Sequence, residues 1–291
     1  VGEWVRISNG ELSAAINPLG AELSSLTDAA GRELMTDADP RFWTGRAPLL
    51  FPVVGMTADG TIRVDGQAYP IAKHGFARRS VFSVIEATAT RAVFALVDDL
   101  STRAAYPFAF RLEVAFELHG ATLAVDVTVA NPADEPLPAS FGFHPAFAWP
   151  LPFGQARADH RIVFAADEPG SLKVIAEDGT IATAERGSPL DGRVLHLADQ
   201  LFTDDALVWA PVESQAVRYG AEGAPQLDIA FPDTPMLGVW TKPGAAYVCV
   251  EPWHGIADPT GFAGEYRDKP GVFTVAPHGE KRIALRITLT A

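Results

Sequence analysis

Cysteine is almost absent: Cys249 is the single one among 291 residues. No intrachain disulfide can form, and the scarcity fits a reducing compartment, so a cytoplasmic location is expected. Positive charge is also short. Lys and Arg number 23 against 36 Asp and Glu, a net charge of −13. That balance argues against nucleic acid and anionic membrane surfaces as partners, since both select a basic face. A polyanionic substrate is disfavoured as well, although a local Arg cluster can still hold one phosphate. Every apolar run is too short to span a bilayer as a helix. The opening residues Val1-Gly2-Glu3-Trp4-Val5-Arg6 do not read as a secretory signal, and the lack of an initiating Met suggests a start after processing or trimming. No internal repeat, Gly-rich phosphate loop or Cys/His metal cluster is visible, and few segments sustain a helical period.

What the chain does have is apolar residues and turns. The hydrophobic fraction is 48% and the charged fraction 20%, enough for a large core. Gly 25 and Pro 23 suit many short strands joined by turns. Asn9-Gly10 and Asp65-Gly66 each sit between strand-like runs, a hairpin signature. Phe108 to Leu118 and Thr122 to Ala130 form a longer hairpin around His119-Gly120. Its alternation leaves Arg111, Glu113 and Glu117 on a wet face. The pattern blurs between Ile162 and Leu197 and then resumes. The expectation is one antiparallel all-β domain over residues 1–291.

The chemistry concentrates in a few stretches. The most informative is Tyr247-Val248-Cys249-Val250-Glu251-Pro252-Trp253-His254. Pro252 lacks the N–H of a ladder residue, so the strand is expected to stop at Glu251, with Trp253 and His254 on a loop beside it. Alternation puts Glu251 on one face with Cys249 and Tyr247. A carboxylate among apolar groups loses hydration and becomes a better base. Lys242-Pro243-Gly244 turns the chain just before, so Trp240 and Glu251 are expected on neighbouring antiparallel strands. Phe141-Gly142-Phe143-His144-Pro145-Ala146-Phe147 sets an imidazole in an aromatic cluster. Lys73-His74-Gly75-Phe76-Ala77-Arg78-Arg79 is a loop between strands, where binding residues concentrate. Arg46 enters an apolar run, Phe42 to Gly55, and needs acceptors there, either backbone carbonyls or a ligand's hydroxyls. Asp204 and Asp205 precede another apolar run, as a turn or helix cap would.

These pieces resemble the aldose 1-epimerases, the galactose-mutarotase-like enzymes, and most of all their LacX-type branch. The matching stretches are Asn9-Gly10-Glu11-Leu12, Trp43 to Gly55, His74-Gly75-Phe76-Ala77-Arg78, Gly142 to Phe147 and Val250-Glu251-Pro252-Trp253. They occur in the family's order over nearly the whole chain. The resemblance implies an antiparallel β-supersandwich with a sugar site on a concave face. It implies interconversion of the α and β anomers of an aldose without a cofactor. By position, Glu251 is similar to the family's general base, His144 to its general acid and His74 to its second active-site histidine. Arg46 is similar to a sugar-hydroxyl binder, and Asp205 sits roughly where a substrate-binding Asp is expected. Trp240, Trp253 and Phe147 are aromatic candidates for the sugar face. Arg78 and Arg79 keep open the hexose 6-phosphates on which some relatives act.

The residues fit that chemistry in their own right. Mutarotation needs a base at the anomeric hydroxyl and an acid at the ring oxygen, with the roles reversed on closure. The partner is then a small-molecule sugar, and the protein a monomer or homodimer. A His74–His144–Glu251 metal site is a rival, but the spacing gives it no support. A glycoside hydrolase needs two flanking carboxylates, and only Glu251 stands in a pocket motif. A sugar-binding module without turnover could lose the acid or the base; both are present here.

Overall fold

A computed structural model describes residues 3–291; the reading of Val1 and Gly2 lies outside them. Strands dominate, and every pair between strands is antiparallel. One sheet has nine strands, in the order Val194–His196, His160–Phe164, Ala216–Ala221, Gln226–Ala230, Glu280–Thr290, Thr122–Ala130, Arg111–His119, Arg91–Val97 and Ser83–Ala87. The second sheet has eight. Its path runs Ile181–Arg186, Leu172–Ile175, Leu207–Trp209, Met236–Trp240, Tyr247–His254, Phe141–Phe143 and Leu49–Leu50, with Ala146–Ala148 also paired to Tyr247–His254. Two large antiparallel sheets are the supersandwich architecture expected from the sequence.

Alternation explains how the two sheets meet. In Arg111–His119, Leu112, Val114 and Phe116 are buried while Arg111, Glu113 and Glu117 stay partly exposed. Apolar residues of both sheets join one cluster that runs from Ile7 to Ile287. The hairpins at Asn9-Gly10 and Asp65-Gly66 form as expected, with Gly10 and Gly66 at positive φ. The blurred stretch after Ile162 holds short strands of its own. One α-helix was not expected. It spans Leu100–Ala105, started by a capping box in which the Asp99 side chain accepts from Thr102 N and Thr102 Oγ1 accepts from Asp99 N.

The strand at Glu251 does not stop there. It continues through Pro252 to His254, so Trp253 and His254 are strand residues rather than loop residues. The reason lies in the partner on one side. Residues 247–249 pair with Ala146–Ala148, and 253–254 pair with Phe141 and Gly142. Between them the partner chain breaks at His144-Pro145. Val250 N donates to Pro145 O on this side. Alternation turns the missing N–H of Pro252 toward the same break, where no ladder bond is lost.

Candidate active site

Tyr247, Cys249, Glu251 and Trp253 point to one face of the Tyr247–His254 strand, as a period of two requires. Gly238 lies opposite Glu251, and Trp240 opposite Cys249, on the adjacent strand. Glycine at 238 is a packing requirement: a Cβ there would sit 2.5 Å from the Trp253 ring. On the other flank, a Cβ at Gly142 would lie 2.6 Å from the same indole. The two glycines let Trp253 lie flat across three strands beside Glu251.

Glu251 is 2% exposed. Its Oε2 lies 3.2 Å from Nε2 of His144, itself buried at the break between Phe143 and Ala146. Trp43 stacks on the His144 ring, centroids 4.9 Å apart. Burial pushes the Glu251 carboxyl well above the usual carboxylate range; the Asp205 charge adds to this, while Lys73 and the Trp253 indole oppose it. The Trp253 Nε1 has no aligned hydrogen-bond acceptor. Burial likewise pushes His144 down to about 3, with the charges of Arg78 and Lys73 acting in the same direction and a backbone contact opposing. Both members of the pair are therefore driven toward their neutral forms. His144 Nδ1 is buried without a partner. No neighbouring acceptor pins its tautomer, so Nε2 is free to hold or release a proton.

His74 stands 6.0 Å from His144, ring centroid to ring centroid and nearly perpendicular. Its backbone and its ring are both clipped to Gly55. His74 N donates to Gly55 O at 2.9 Å, and Gly55 N donates to His74 Nδ1 at 3.0 Å. An accepting Nδ1 leaves the proton on Nε2, so His74 can donate a hydrogen bond. Burial, then the charges of His144, Lys73 and Arg78, hold it well below the usual imidazole range, hence neutral. The turn that presents it has two successive left-handed residues, His74 at φ 66° and Gly75 at φ 70°. At Gly75 a Cβ would meet Phe51 O at 2.1 Å, so only glycine fits.

These side chains converge on a cavity of about 840 Å³. Trp43, His74, Arg78, His144, Asp205, Trp240, Glu251 and Trp253 all line it. Trp240 stands edge-on to His144, 5.9 Å away. Arg78 is half-buried; Nη2 donates to Lys73 O at 3.0 Å, while its Nε has no partner. Asp205 is exposed at the rim, at φ 72°, and accepts from Ala206 N at 2.8 Å. The wall is thus aromatic, with convergent polar groups of both signs, as sugar-sized ligands require.

Two expectations, Arg46 and Phe147 as sugar contacts, are corrected by the side-chain positions. Arg46 does not line the cavity: Nη1 donates to Thr36 O at 2.8 Å, Nη2 reaches Asp37 O, and the guanidinium lies over Trp4. Backbone carbonyls are its acceptors. Phe147 is fully buried in the main core against Tyr219, because alternation in Ala146–Ala148 gives the site-side position to Ala146. Arg79 is exposed and outside the cavity. Conversely, Trp43, Lys73 and Lys242 line the cavity and were not singled out as site residues. Lys73 and Lys242 flank the two turns read as significant. For Trp43 the signal was Gly45, whose Cβ would lie 2.3 Å from the Trp43 ring. Among the described residues one group of donors could hold a metal ion, His144, Cys249 and Glu251, with ligand atoms within 4.8 Å of one another. His74, part of the rival metal set, is not in it.

Comparison with known proteins shows the family and the fold. The family model for aldose 1-epimerase matches residues 3–273. Plasmid-encoded LacX of Lactococcus lactis subsp. lactis is 28% identical over 295 residues, covering 98% of this chain and 99% of that protein. A galactose mutarotase related enzyme from Lactobacillus acidophilus superposes with a TM-score of 0.91 at 29% identity, over 99% of this chain and 97% of the other. A galactose mutarotase-like protein from Lactobacillus casei gives a TM-score of 0.92 at 27% identity, over 99% and 100% of the two chains.

Proposed function

The chain belongs to the aldose 1-epimerase family, and from that premise we propose that it is a mutarotase, an isomerase interconverting the α and β anomers of an aldose. The observation that carries this reading is the buried Glu251–His144 contact of 3.2 Å at the floor of the aromatic cavity. Glu251 is the base for the anomeric hydroxyl and His144 the acid for the ring oxygen. His74, through Nε2–H, holds a sugar oxygen in place. Arg78, Asp205, Trp240 and Trp253 bind the sugar, and Trp43 supports the His144 ring.

The protons balance as follows. With the closed ring bound, the reactive form carries the pair's one proton on His144, reached from the neutral resting pair by transfer from Glu251 across the 3.2 Å contact. The C1 hydroxyl gives its proton to Glu251, the C1–O5 bond breaks, and O5 takes the proton of His144. The products are the open-chain aldehyde, a neutral carboxylic acid and a neutral imidazole. That is the form burial favours for both groups. Ring opening thus returns the pair to its neutral form and recovers the cost of charging it in a poorly hydrated site. Rotation of the aldehyde presents the other face, and closure runs the same transfers backwards. No step requires a cofactor.

Lys73, Arg78 and Lys242 on the same cavity favour one further reading, a sugar carrying a 6-phosphate. An anomerisation assay by polarimetry or exchange NMR over free and 6-phosphorylated aldoses tests both. Catalysis of one panel identifies the substrate class. Saturable binding without acceleration of any anomer exchange overturns the enzyme reading in favour of a sugar-binding protein.

A further inference from the structure

Cys249, the single cysteine, is a buried nucleophile that the acid–base chemistry leaves unused. It is fully buried, two residues before Glu251 on the same face, and opposite both Trp240 and Ala146 in register. Its Sγ, a ring nitrogen of His144 and a Glu251 carboxylate oxygen lie within 4.8 Å of one another. One edge of that triangle, His144 to Glu251, is already 3.2 Å. Zinc bonds of about 2.0–2.3 Å to N, O and S require ligand–ligand edges of roughly 3.3–3.6 Å in a tetrahedron. The triangle therefore needs only a small inward movement of the thiol to match. Nothing holds His144 Nδ1, so a proton there leaves the Nε2 lone pair free for a metal.

We propose that His144, Cys249 and Glu251 form an inhibitory site for a soft divalent cation such as Zn²⁺. A thiolate, an imidazole and a carboxylate are a zinc- or cobalt-type donor set; Mg²⁺ and Ca²⁺, which take oxygen ligands, are not accommodated. His144 and Glu251 line the cavity, so a fourth ligand, water or a sugar hydroxyl, would come from that side. The metal takes the lone pair of His144 and the carboxylate of Glu251, the groups that the anomerisation proposed above requires, and the thiol proton leaves to solvent. The site switches the enzyme off; it does not supply chemistry to it. The inhibitory consequence rests on the mutarotase reading, whereas the metal site itself does not.

Cobalt titration of the chelator-treated whole chain tests the site without any activity readout. One equivalent of Co²⁺ should produce a cobalt–thiolate charge-transfer absorption, since Cys249 is the single cysteine. Zn²⁺ should displace it stoichiometrically. In the same preparation, Zn²⁺ should lower anomerisation by about 10²–10⁴-fold, the share of an acid–base pair, and chelation should restore it. Cys249→Ala and Cys249→Ser should both lose the absorption and the zinc sensitivity while keeping anomerisation. Absence of the thiolate band in the wild-type chain overturns the site, whatever the outcome for activity. Zinc inhibition undiminished in both variants, or activation by Co²⁺ or Zn²⁺, overturns the inhibitory role.

Discussion

Replacing Glu251 by Gln removes one proton acceptor and little else. The residue is buried, its Oε2 lies 3.2 Å from His144 Nε2, and its strand is paired through Gly238 on one flank and on both sides of the break at His144-Pro145 on the other. General acid–base catalysis contributes about 10²–10⁴-fold, or about 2.7–5.4 kcal/mol of barrier at 1.36 kcal/mol per factor of ten. That loss should fall on kcat, because Arg78, Asp205 and the aromatic walls still hold the sugar. Loss of folding is not expected. A carboxyl whose folded pKa is raised contributes stability that is present below its unfolded pKa and lost as pH rises through the folded one. The wild type therefore carries an ionisation penalty at alkaline pH that Gln lacks, so Glu251→Gln should melt no lower than wild type at pH 8. His144→Asn should lose a similar factor in kcat. The double variant should be worse than either single one by much less than the product, because both groups act in one transition state. Exchange NMR on the best aldose measures the rates, and titration calorimetry measures sugar binding separately. If Glu251→Gln folds, binds sugar and still exchanges anomers near the wild-type rate, the mechanism is wrong.

Four further outcomes follow from the same geometry. The Asp205 charge raises the Glu251 pKa, so Asp205→Asn should move the alkaline limb of the kcat/KM profile to lower pH; an unmoved limb would remove Asp205 from the electrostatics of the site. Arg78→Ala should raise KM while Arg46→Ala leaves it unchanged, since only Arg78 lines the cavity; the opposite pattern in steady-state kinetics would restore Arg46 as a sugar ligand. Lys269 Nζ is 2.8 Å from Asp258 Oδ1, both buried, so Lys269→Met leaves a buried carboxylate unpaired and should cost about 3–5 kcal/mol in urea unfolding. Burial holds His74, His144 and His160 below 6.5, so their contribution is present above that pH and lost as pH falls toward the folded values; stability should decline between pH 6.5 and 5 at up to about 1.4 kcal/mol per unit for each histidine that only the unfolded chain protonates. Glu251 works the other way over the same range and offsets about one of the three, so the slope is read in Glu251→Gln; a flat curve in that variant would show that these imidazoles titrate normally in the folded chain.

Local rules carried the sequence reading a long way. Alternation assigned Tyr247, Cys249 and Glu251 to one face, and the turn at Lys242-Pro243-Gly244 put Trp240 beside them, as the register bears out. The short hairpins and the all-β class came from the same rules, because a strand's two faces and a tight turn are decided within a few residues. Pro252 shows where such rules stop. A missing N–H matters only if a partner carbonyl awaits it, and the break at His144-Pro145 is a property of the sheet, not of the Pro252 neighbourhood. The fates of Arg46 and Phe147 were likewise undecided locally. The first depended on carbonyls at Thr36 and Asp37 and the second on which face of Ala146–Ala148 met the core. Above all, residues 74, 144 and 251 lie far apart along the chain. Sheet order brings His144 and Cys249 to Glu251, and a loop contact beside the isolated Phe51–Gly75 bridge clips His74 to Gly55; both join segments whose partners the sequence does not name.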